Sequence, residues 1–145
     1  MMEICLNHRE ENSMLHGHCH CGQIHYTFQQ ADVMRHTLCH CTDCRRHAGA
    51  PVVAWVMLPA EKVQIFGTPR TYHSSEHGRR QFCEACGTSL FYLNKAILPG
   101  IIDVLSATLD QPDRIPVTAQ YQVAERINWM EKLSDVPGFE RWHLS

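Results

Sequence analysis

The sequence lacks the features that would place the protein in a membrane or on a nucleic acid. None of its hydrophobic runs approaches the roughly 20 residues that a transmembrane helix requires. A formal net charge of -2 provides no basic field for nucleic acid or for an anionic membrane surface. The N-terminal stretch MMEICLNHREENSML is polar and acidic, unlike a secretory signal. We therefore expect a cytoplasmic protein with no nucleic-acid and no membrane partner.

The sequence also lacks internal repeats, low-complexity segments and signals for long helices. Its 145 residues suit one ordinary domain, and its contents of 44% hydrophobic and 19% charged residues are normal for a globular protein. Regular patterning begins near Met14. We therefore predict an N-terminal extension at residues 1–13 and a single domain at residues 14–145.

Short β-strands account for most of the pattern. Apolar side chains alternate with polar ones in QIHYTF, and VVAWVML and IIDVL are β-branched runs of strand length. KVQIF, SLFYL and TAQYQV are three further predicted strands. The one good helix signal is DCRRHAGA, with Thr42 or Asp43 as its N-cap. The sequence therefore predicts a mainly β, single-domain fold with few and short helices.

Cysteine is the residue that this sequence uses most distinctively. Seven of the eight cysteines fall in three clusters, GHCHCG, CHCTDC and FCEACG. In a reducing cytosol, clustered cysteines indicate metal or redox chemistry and not disulfide bonds. A structural zinc ion takes four protein ligands, so seven thiols exceed the need of one such site. Cys5 lies outside the clusters, and we expect it to be an ordinary free thiol.

Two of the clusters together supply one complete set of four thiolates. Cys19 and Cys21 are two residues apart, so in an extended segment their sulfurs point to the same side. Cys83 and Cys86 form a knuckle, and Gly87 permits the positive φ that such a turn favours. These four cysteines are predicted to bind a structural zinc ion. Four reduced, buried cysteines are the alternative.

The remaining cluster has one ligand fewer. Cys39, Cys41 and Cys44 would hold a zinc ion with its fourth position open, as catalytic zinc sites do. Three thiolates leave such a site with a net charge of about -1, which favours holding a further, nucleophilic thiolate over activating water. The alternative is a redox cluster in which Cys41 and Cys44 form a thiol–disulfide pair.

Three charged residues follow or interrupt this cluster. Arg45 and Arg46 are predicted to bind substrate, either by neutralising the thiolate charge or by holding a substrate carboxylate. A solvated helix face is the alternative for both arginines. Asp43 is expected to cap the turn that carries Cys44.

Histidines and aromatic residues near the clusters have simpler interpretations. His20 and His40 lie between paired cysteines and should point to the opposite face, so neither is expected to be a ligand. Trp55 and Tyr72 could line a pocket, although an aromatic side chain on a β-branched strand is more often part of the core.

The motifs GHCHCGQIHY, CHCTDCRRHAGAP, RQFCEACGTSL and LDQP follow one another in a way that resembles the glutathione-dependent formaldehyde-activating enzyme family. The resemblance extends from about Gly17 to Trp142 and implies a β-tent-like zinc fold with complex β topology. It implies a structural zinc ion on the four-cysteine set and a labile catalytic one on Cys39, Cys41 and Cys44.

The resemblance also implies an activity. The family is classed with carbon–sulfur lyases and includes proteins named S-(hydroxymethyl)glutathione synthases. In its proposed reaction the second zinc takes the sulfur of glutathione, which adds to formaldehyde or another small electrophile. Glutathione and a small aldehyde are therefore the expected small-molecule partners, and the three-cysteine set is the expected catalytic site.

The sequence departs from the family pattern at one position, where Gln120 stands in place of the usual histidine. This difference leaves the substrate open. Two other function classes are compatible with the residues: a zinc-stabilised binding module without catalysis, and a thiol redox protein. A redox protein related to zinc-bearing methionine sulfoxide reductases requires a nucleophilic cysteine near the end of the chain, and none follows Cys86.

Overall fold

The computed structural model describes residues 13–142. The prediction for Cys5, and that of an N-terminal extension except at residue 13, lie outside the described residues. The described part contains one α-helix, α1 (Thr42–Ala48), and ten strands. The strands are β1 (Met14–His18), β2 (His25–Gln29), β3 (Arg35–Cys39), β4 (Val53–Pro59), β5 (Gln64–Phe66), β6 (Arg70–His73), β7 (Gly78–Phe82), β8 (Ser89–Asn94), β9 (Ile101–Leu105) and β10 (Ala119–Tyr121).

The strands form two sheets. The smaller sheet has the order β1-β2-β5, and the larger one has the order β10-β3-β4-β9-β8-β7-β6. All neighbours are antiparallel except β10 and β3, which are parallel. The predicted mainly β fold is thereby confirmed. Across residues 13–142, no helix has both the length and the apolar character needed to cross a membrane.

The core lies between the two sheets and is centred on aromatic side chains. Tyr26 and Phe28 of β2 are buried, and Tyr26 meets Phe91 of β8 edge-on at a ring-centroid distance of 5.4 Å. Side chains of this size each contribute about 2–3 kcal/mol through burial. The hydroxyl of Tyr26 is 2.6 Å from that of Thr108, so the one polar atom of the ring is satisfied. Gly17 lies opposite Tyr26 on β1, where a Cβ atom would clash with the ring.

The six predicted strands are present, with ends that differ by up to two residues. IIDVL coincides with β9, whereas TAQYQV is paired only at Ala119–Tyr121. Four strands were not predicted: β1, β3, β6 and β7. Strands β6 and β7 are rich in charged and polar residues, and β6 is exposed along its whole length. A hairpin of this kind at a sheet edge shows little alternation of apolar and polar residues. Its strands therefore form because they pair with neighbouring strands, and their own sequence gives little sign of them.

Candidate metal centres

The four-cysteine set connects the two sheets. Cys19 follows β1 of the smaller sheet, and Cys83 follows β7 of the larger one. The four Sγ atoms of Cys19, Cys21, Cys83 and Cys86 all lie within 4.8 Å of one another. Sγ of Cys21 is 3.6 Å from that of Cys19 and 3.7 Å from that of Cys83. A tetrahedral zinc ion with zinc–sulfur bonds of about 2.3 Å sets its sulfurs about 3.8 Å apart, so the arrangement fits the metal.

Two tight turns bring these sulfurs together. The carbonyl of Cys19 accepts the N–H of Gly22 at 3.0 Å, and that of Cys83 accepts the N–H of Gly87 at 2.7 Å. Both glycines have a φ of +82°, which a residue with a side chain rarely adopts. The positive φ predicted for Gly87 is confirmed. The extended geometry expected for Cys19 and Cys21 is wrong, because this pair also lies in a turn.

Neighbouring donors stabilise two sulfurs of this set, those of Cys19 and Cys86, as thiolates. Sγ of Cys19 accepts the backbone N–H of Ile24 at 3.3 Å. The hydroxyl of Thr88 is 3.2 Å from Sγ of Cys86, and this hydrogen bond is the main cause that lowers the pKa of Cys86 to about 5. The same hydroxyl accepts the backbone N–H of His20 at 3.0 Å. Thr88 therefore ties one turn of the site to the other.

The three-cysteine set lies on one strand-to-helix connection. Cys39 ends β3, Cys41 precedes α1, and Cys44 lies in the first turn of that helix; their sulfurs are within 4.8 Å of one another. Cys41 is the N-cap of the helix, and its Sγ accepts the N–H of Cys44 at 3.2 Å. The predicted N-cap at Thr42 or Asp43 is therefore wrong by one or two positions. A sulfur has replaced the usual oxygen acceptor, so that the cap and a potential ligand are the same atom.

The protonation of this set is uneven. A hydrogen bond from Cys44 is the main cause that lowers the pKa of Cys39, and the same interaction, together with burial, raises the pKa of Cys44. Burial is the main cause that raises the pKa of Cys41. The donor set is all thiol, with no carboxylate or imidazole among it, which suits zinc and other thiolate-binding metals.

A cleft of about 370 Å³ borders the three-cysteine set and not the four-cysteine set. Cys39, Cys41 and Cys44 all line it, whereas none of the four cysteines of the other set does. Its walls include Trp55, Met57 and Tyr92. A metal on the three-cysteine set would therefore have a free position facing a space large enough for a small molecule.

Arg80 is a buried cation beside the three-cysteine set. Its Nη2 atom is 2.8 Å from Oδ2 of Asp43 and 3.8 Å from Sγ of Cys44. Its guanidinium lies over the ring of Tyr92, 4.9 Å from the centroid, and only 4% of the side chain is exposed. Burial alone would lower the pKa of Arg80, but hydrogen bonds to Asp43 and Cys44 outweigh it and raise that pKa. Arg80 therefore lies between two negative groups, the exposed carboxylate of Asp43 and the three-cysteine set.

The two arginines singled out in the sequence lie elsewhere. Arg45 donates hydrogen bonds to Oγ1 of Thr42 and to the carbonyls of His40 and Glu125, at 3.1, 3.3 and 3.4 Å. Arg45 and Arg46 border a shallow pocket, and neither lines the cleft. Their predicted role in substrate binding stays a prediction. The expected capping role of Asp43 is wrong, because its carboxylate pairs with Arg80 and the cap is a cysteine.

Other residues noted in the sequence divide between core, cleft and surface. His40 is buried and its Nε2 atom is 2.8 Å from Oε1 of Gln120, so this glutamine holds the His40 ring in place. Neither His20 nor His40 belongs to a metal-binding group within residues 13–142. Trp55 is buried and lines the cleft, whereas Tyr72 is exposed and stacks on His47.

Sequence reasoning missed two cleft residues besides Arg80. Arg35 and Asp103 both line the cleft, and strand register places them in one row across the sheet with Met57 between them. The signal for Asp103 was available, because it is the single acid in an otherwise apolar, β-branched run. Arg80 gave no such signal, because it follows a second arginine and only the strand's alternation decides which of the two points inward.

The chain is similar to a known protein family, to a further protein in sequence and to a solved structure. A family model described as glutathione-dependent formaldehyde-activating enzyme matches residues 14–125. A Schizosaccharomyces pombe protein named as an uncharacterised lyase is 30% identical over 76 residues, which are 52% of this chain and 55% of that protein. The chain thus spans about half the length of this relative. A solved structure of a Rhodobacter sphaeroides protein, 21% identical, gives a TM-score of 0.53 over 72% of this chain and 98% of that one, and so supports the fold.

Proposed function

The chain belongs to the glutathione-dependent formaldehyde-activating enzyme family, and from this premise we propose that it is a lyase-type enzyme. In the proposed reaction, a small thiol such as glutathione adds to formaldehyde or another small aldehyde. Two zinc ions are proposed as cofactors, a structural one on the four-cysteine set and a labile one on the three-cysteine set. We also propose that residues 14–145 form one domain, that residues 1–13 extend it, and that the protein is cytoplasmic.

One observation carries the proposal: Cys39, Cys41 and Cys44 have sulfurs within 4.8 Å of one another, and all three residues line a cleft. Zinc bound there would supply a fourth position that keeps the sulfur of a substrate deprotonated near neutral pH. The four-cysteine set has the ligands of a closed structural site and does not line this space. A binding module that needed zinc only for folding would require no second, open set of thiols.

The residues that line the cleft suit a substrate thiol that also carries charged groups. Trp55, Met57 and Tyr92 supply apolar walls that exclude water from the reacting atoms. Arg80 reduces the negative charge that an anionic sulfur would meet, and Arg35 gives the cleft a second cation that could hold a carboxylate. These two arginines extend the earlier prediction that cations hold the substrate.

The proposed reaction needs no redox cofactor. The S–H bond of the thiol breaks, the sulfur lone pair forms a bond to the aldehyde carbon, and the π electrons of the carbonyl move to its oxygen. That oxygen takes a proton, and the product is a hemithioacetal. The protein must therefore orient the sulfur, admit the aldehyde and move one proton.

Cobalt substitution tests the proposal, because absorption from thiolate to cobalt reports the ligands of the metal. Glutathione should change the spectrum of the cobalt-loaded wild-type protein and leave that of Cys41→Ala unchanged. Formaldehyde should then consume the thiol in the presence of the wild-type protein faster than in its absence. A spectrum that responds to another thiol and not to glutathione would mean that glutathione is not the substrate. A spectrum that responds to no thiol would favour the binding-module alternative.

A further inference from the structure

Asp103 is a buried acid that the proposed reaction has not yet used. It lies in the middle of β9 between Ile102 and Val104, and its side chain is on the sheet face opposite to theirs. Only 8% of the residue is exposed. The structure gives its carboxylate no hydrogen bond and no ion pair within residues 13–142. Asp103 lines the cleft that Cys39, Cys41 and Cys44 also line.

Charged and titratable groups approach Asp103 from several elements. Met57 of β4 and Tyr92 of β8 are its direct cross-strand neighbours. Arg35 of β3 and Arg80 of β7 lie one strand further out on either side, in the same row. The three-cysteine set borders the same cleft. Burial raises the pKa of Asp103 to about 6, and Arg35 opposes this shift in part.

An unpaired carboxylate in this position is costly for the fold. Its neighbours along β9 are apolar, and a valine at the same position would need no partner. Structural carboxylates at such positions normally receive hydrogen bonds or a close cation. A buried, cleft-facing carboxylate without these partners is typical of a group that handles a proton or a ligand.

The other groups of the cleft are less suited to handle a proton. Asp43 is largely exposed and already paired with Arg80. Arg35 and Arg80 stay charged at any physiological pH, and a tyrosine hydroxyl ordinarily titrates near pH 10. The cysteines are the proposed ligands. Among the residues that line the cleft, Asp103 therefore remains as the acid–base group.

We propose that Asp103 accepts the proton of the incoming thiol and returns it to the aldehyde oxygen. This inference rests on the proposed function. In the first step the S–H bond breaks and an O–H bond forms on the carboxylate. In the second, the S–C bond forms, the carbonyl π electrons move to oxygen, and the proton passes from Asp103 to that oxygen. Asp103 ends as the carboxylate, so the step needs no further reactant.

Asp103→Asn tests the assignment, because asparagine keeps the shape and cannot accept the proton. We expect kcat to fall about 100-fold, within the range for loss of a general acid–base group. The glutathione-induced change in the cobalt spectrum should persist at the same thiol concentration. The wild-type rate should decline below about pH 6, and the variant should lack this decline. Asp103→Glu should restore part of kcat.

Asp113→Asn is the matched control, because Asp113 is exposed and does not line the cleft. It should match the wild-type protein in rate and pH profile. A readout independent of turnover is the carbon-13 signal of the Asp103 carboxyl group, which should titrate near pH 6 and shift when a thiol binds.

Three outcomes would overturn the proposal in distinguishable ways. If the wild-type protein is active and Asp103→Asn has the same kcat from pH 5 to 8, Asp103 is not the proton carrier and the proposed function stands. If the variant raises KM for glutathione but not for 2-mercaptoethanol, with kcat unchanged, Asp103 holds the ammonium group of the ligand. If the wild-type protein neither binds a thiol nor consumes it with aldehyde, the proposed function fails and this inference fails with it.

Discussion

The two cysteine sets offer the same ligand atom in opposite surroundings. The four-cysteine set joins turns from two sheets, and backbone N–H groups and Thr88 satisfy its sulfurs. The three-cysteine set lies on one strand-to-helix connection, with a cleft on one side and Arg80 nearby. The difference teaches that two sets with the same ligand chemistry can differ in ligand count and in free space, which are the features that separate closed structural zinc sites from open catalytic ones.

The largest expected effect separates the two sets by their contribution to folding. Cys83→Ala should leave the protein insoluble or without fixed tertiary structure, because a structural zinc site contributes about 10 kcal/mol or more to folding. Cys41→Ala should remain folded, since its set links residues that are already close in sequence. Thermal unfolding and near-ultraviolet circular dichroism measure the contrast. Equal stability of the two variants and the wild-type protein would contradict it.

Metal removal provides the second contrast. A mild chelator should strip the three-cysteine set at least tenfold faster than the four-cysteine set, because an open coordination position lets the competing ligand attack. The same thiols should be the first to react with peroxide once the metal has left. Zinc released over time, measured with a coloured indicator, should follow two phases. Release in a single phase would show that the sets are equivalent.

Arg80 allows a third test, with its neighbour as the control. Arg80→Met should weaken zinc binding at the three-cysteine set by about 10- to 100-fold, as is common when a group next to the ligands is removed. The four-cysteine set should be unaffected. Arg79→Met is the matched control, because Arg79 bonds only to carbonyls of its own hairpin and points away from the cleft. Similar losses in both variants would assign the effect to strand stability.

The buried carboxylate of Asp103 should lower the free energy of unfolding by an amount that depends on pH. Burial raises the pKa of Asp103 above its value in the unfolded chain, so the folded state binds this proton more tightly. The penalty is absent below about pH 4 and complete above about pH 6. At pH 7.5, Asp103→Asn should therefore exceed the wild-type protein by about 3 kcal/mol in free energy of unfolding.

Urea titrations at several pH values measure this difference. The gap between Asp103→Asn and the wild-type protein should close as the pH falls from 6 to 4. A gap that is constant with pH would mean that the asparagine changes packing and not charge.

The smallest effect is expected at Thr88. Thr88→Val removes the hydroxyl that bonds both Cys86 and the N–H of His20. Two lost hydrogen bonds at a partly exposed site should cost about 1–2 kcal/mol in stability. The zinc content of the four-cysteine set should be retained, and the three-cysteine set should not respond. Denaturant midpoints measure the loss, and an unchanged midpoint would show that backbone turns alone hold the site.

The grouping of the cysteines could be predicted from sequence because it rests on spacing. Cys83, Cys86 and Gly87 define a knuckle by themselves, and the pairing with Cys19 and Cys21 follows from counting ligands. The strands with β-branched or alternating residues were also predictable. Strands β6 and β7 were not, because their charged residues carry no alternation that differs from a loop.

The residues that line the cleft could not be predicted from the sequence to lie together. Arg80 is 36 residues from Cys44 in the chain, and their contact depends on the pairing of β7 with β8 and of β8 with β9. Arg45 was the nearer arginine in sequence, but the helix turns it toward the segment at Glu125. Nearness along the chain correctly grouped the sulfurs of each turn. The cation beside Cys44 comes from a distant strand, because such contacts are set by sheet topology.

The junction of Cys21 and Cys83 has a consequence for the unfolded chain. These two residues are 62 positions apart, and a metal between them closes a loop of that length. In a chain-entropy treatment, a covalent cross-link around such a loop restricts the unfolded ensemble by about 4 kcal/mol. A metal bridge can do the same in a reducing compartment, where a disulfide would not persist. The four-cysteine set would then cross-link the chain only while zinc is bound. Zinc depletion would therefore lower the free energy of unfolding without any proteolysis or rise in temperature.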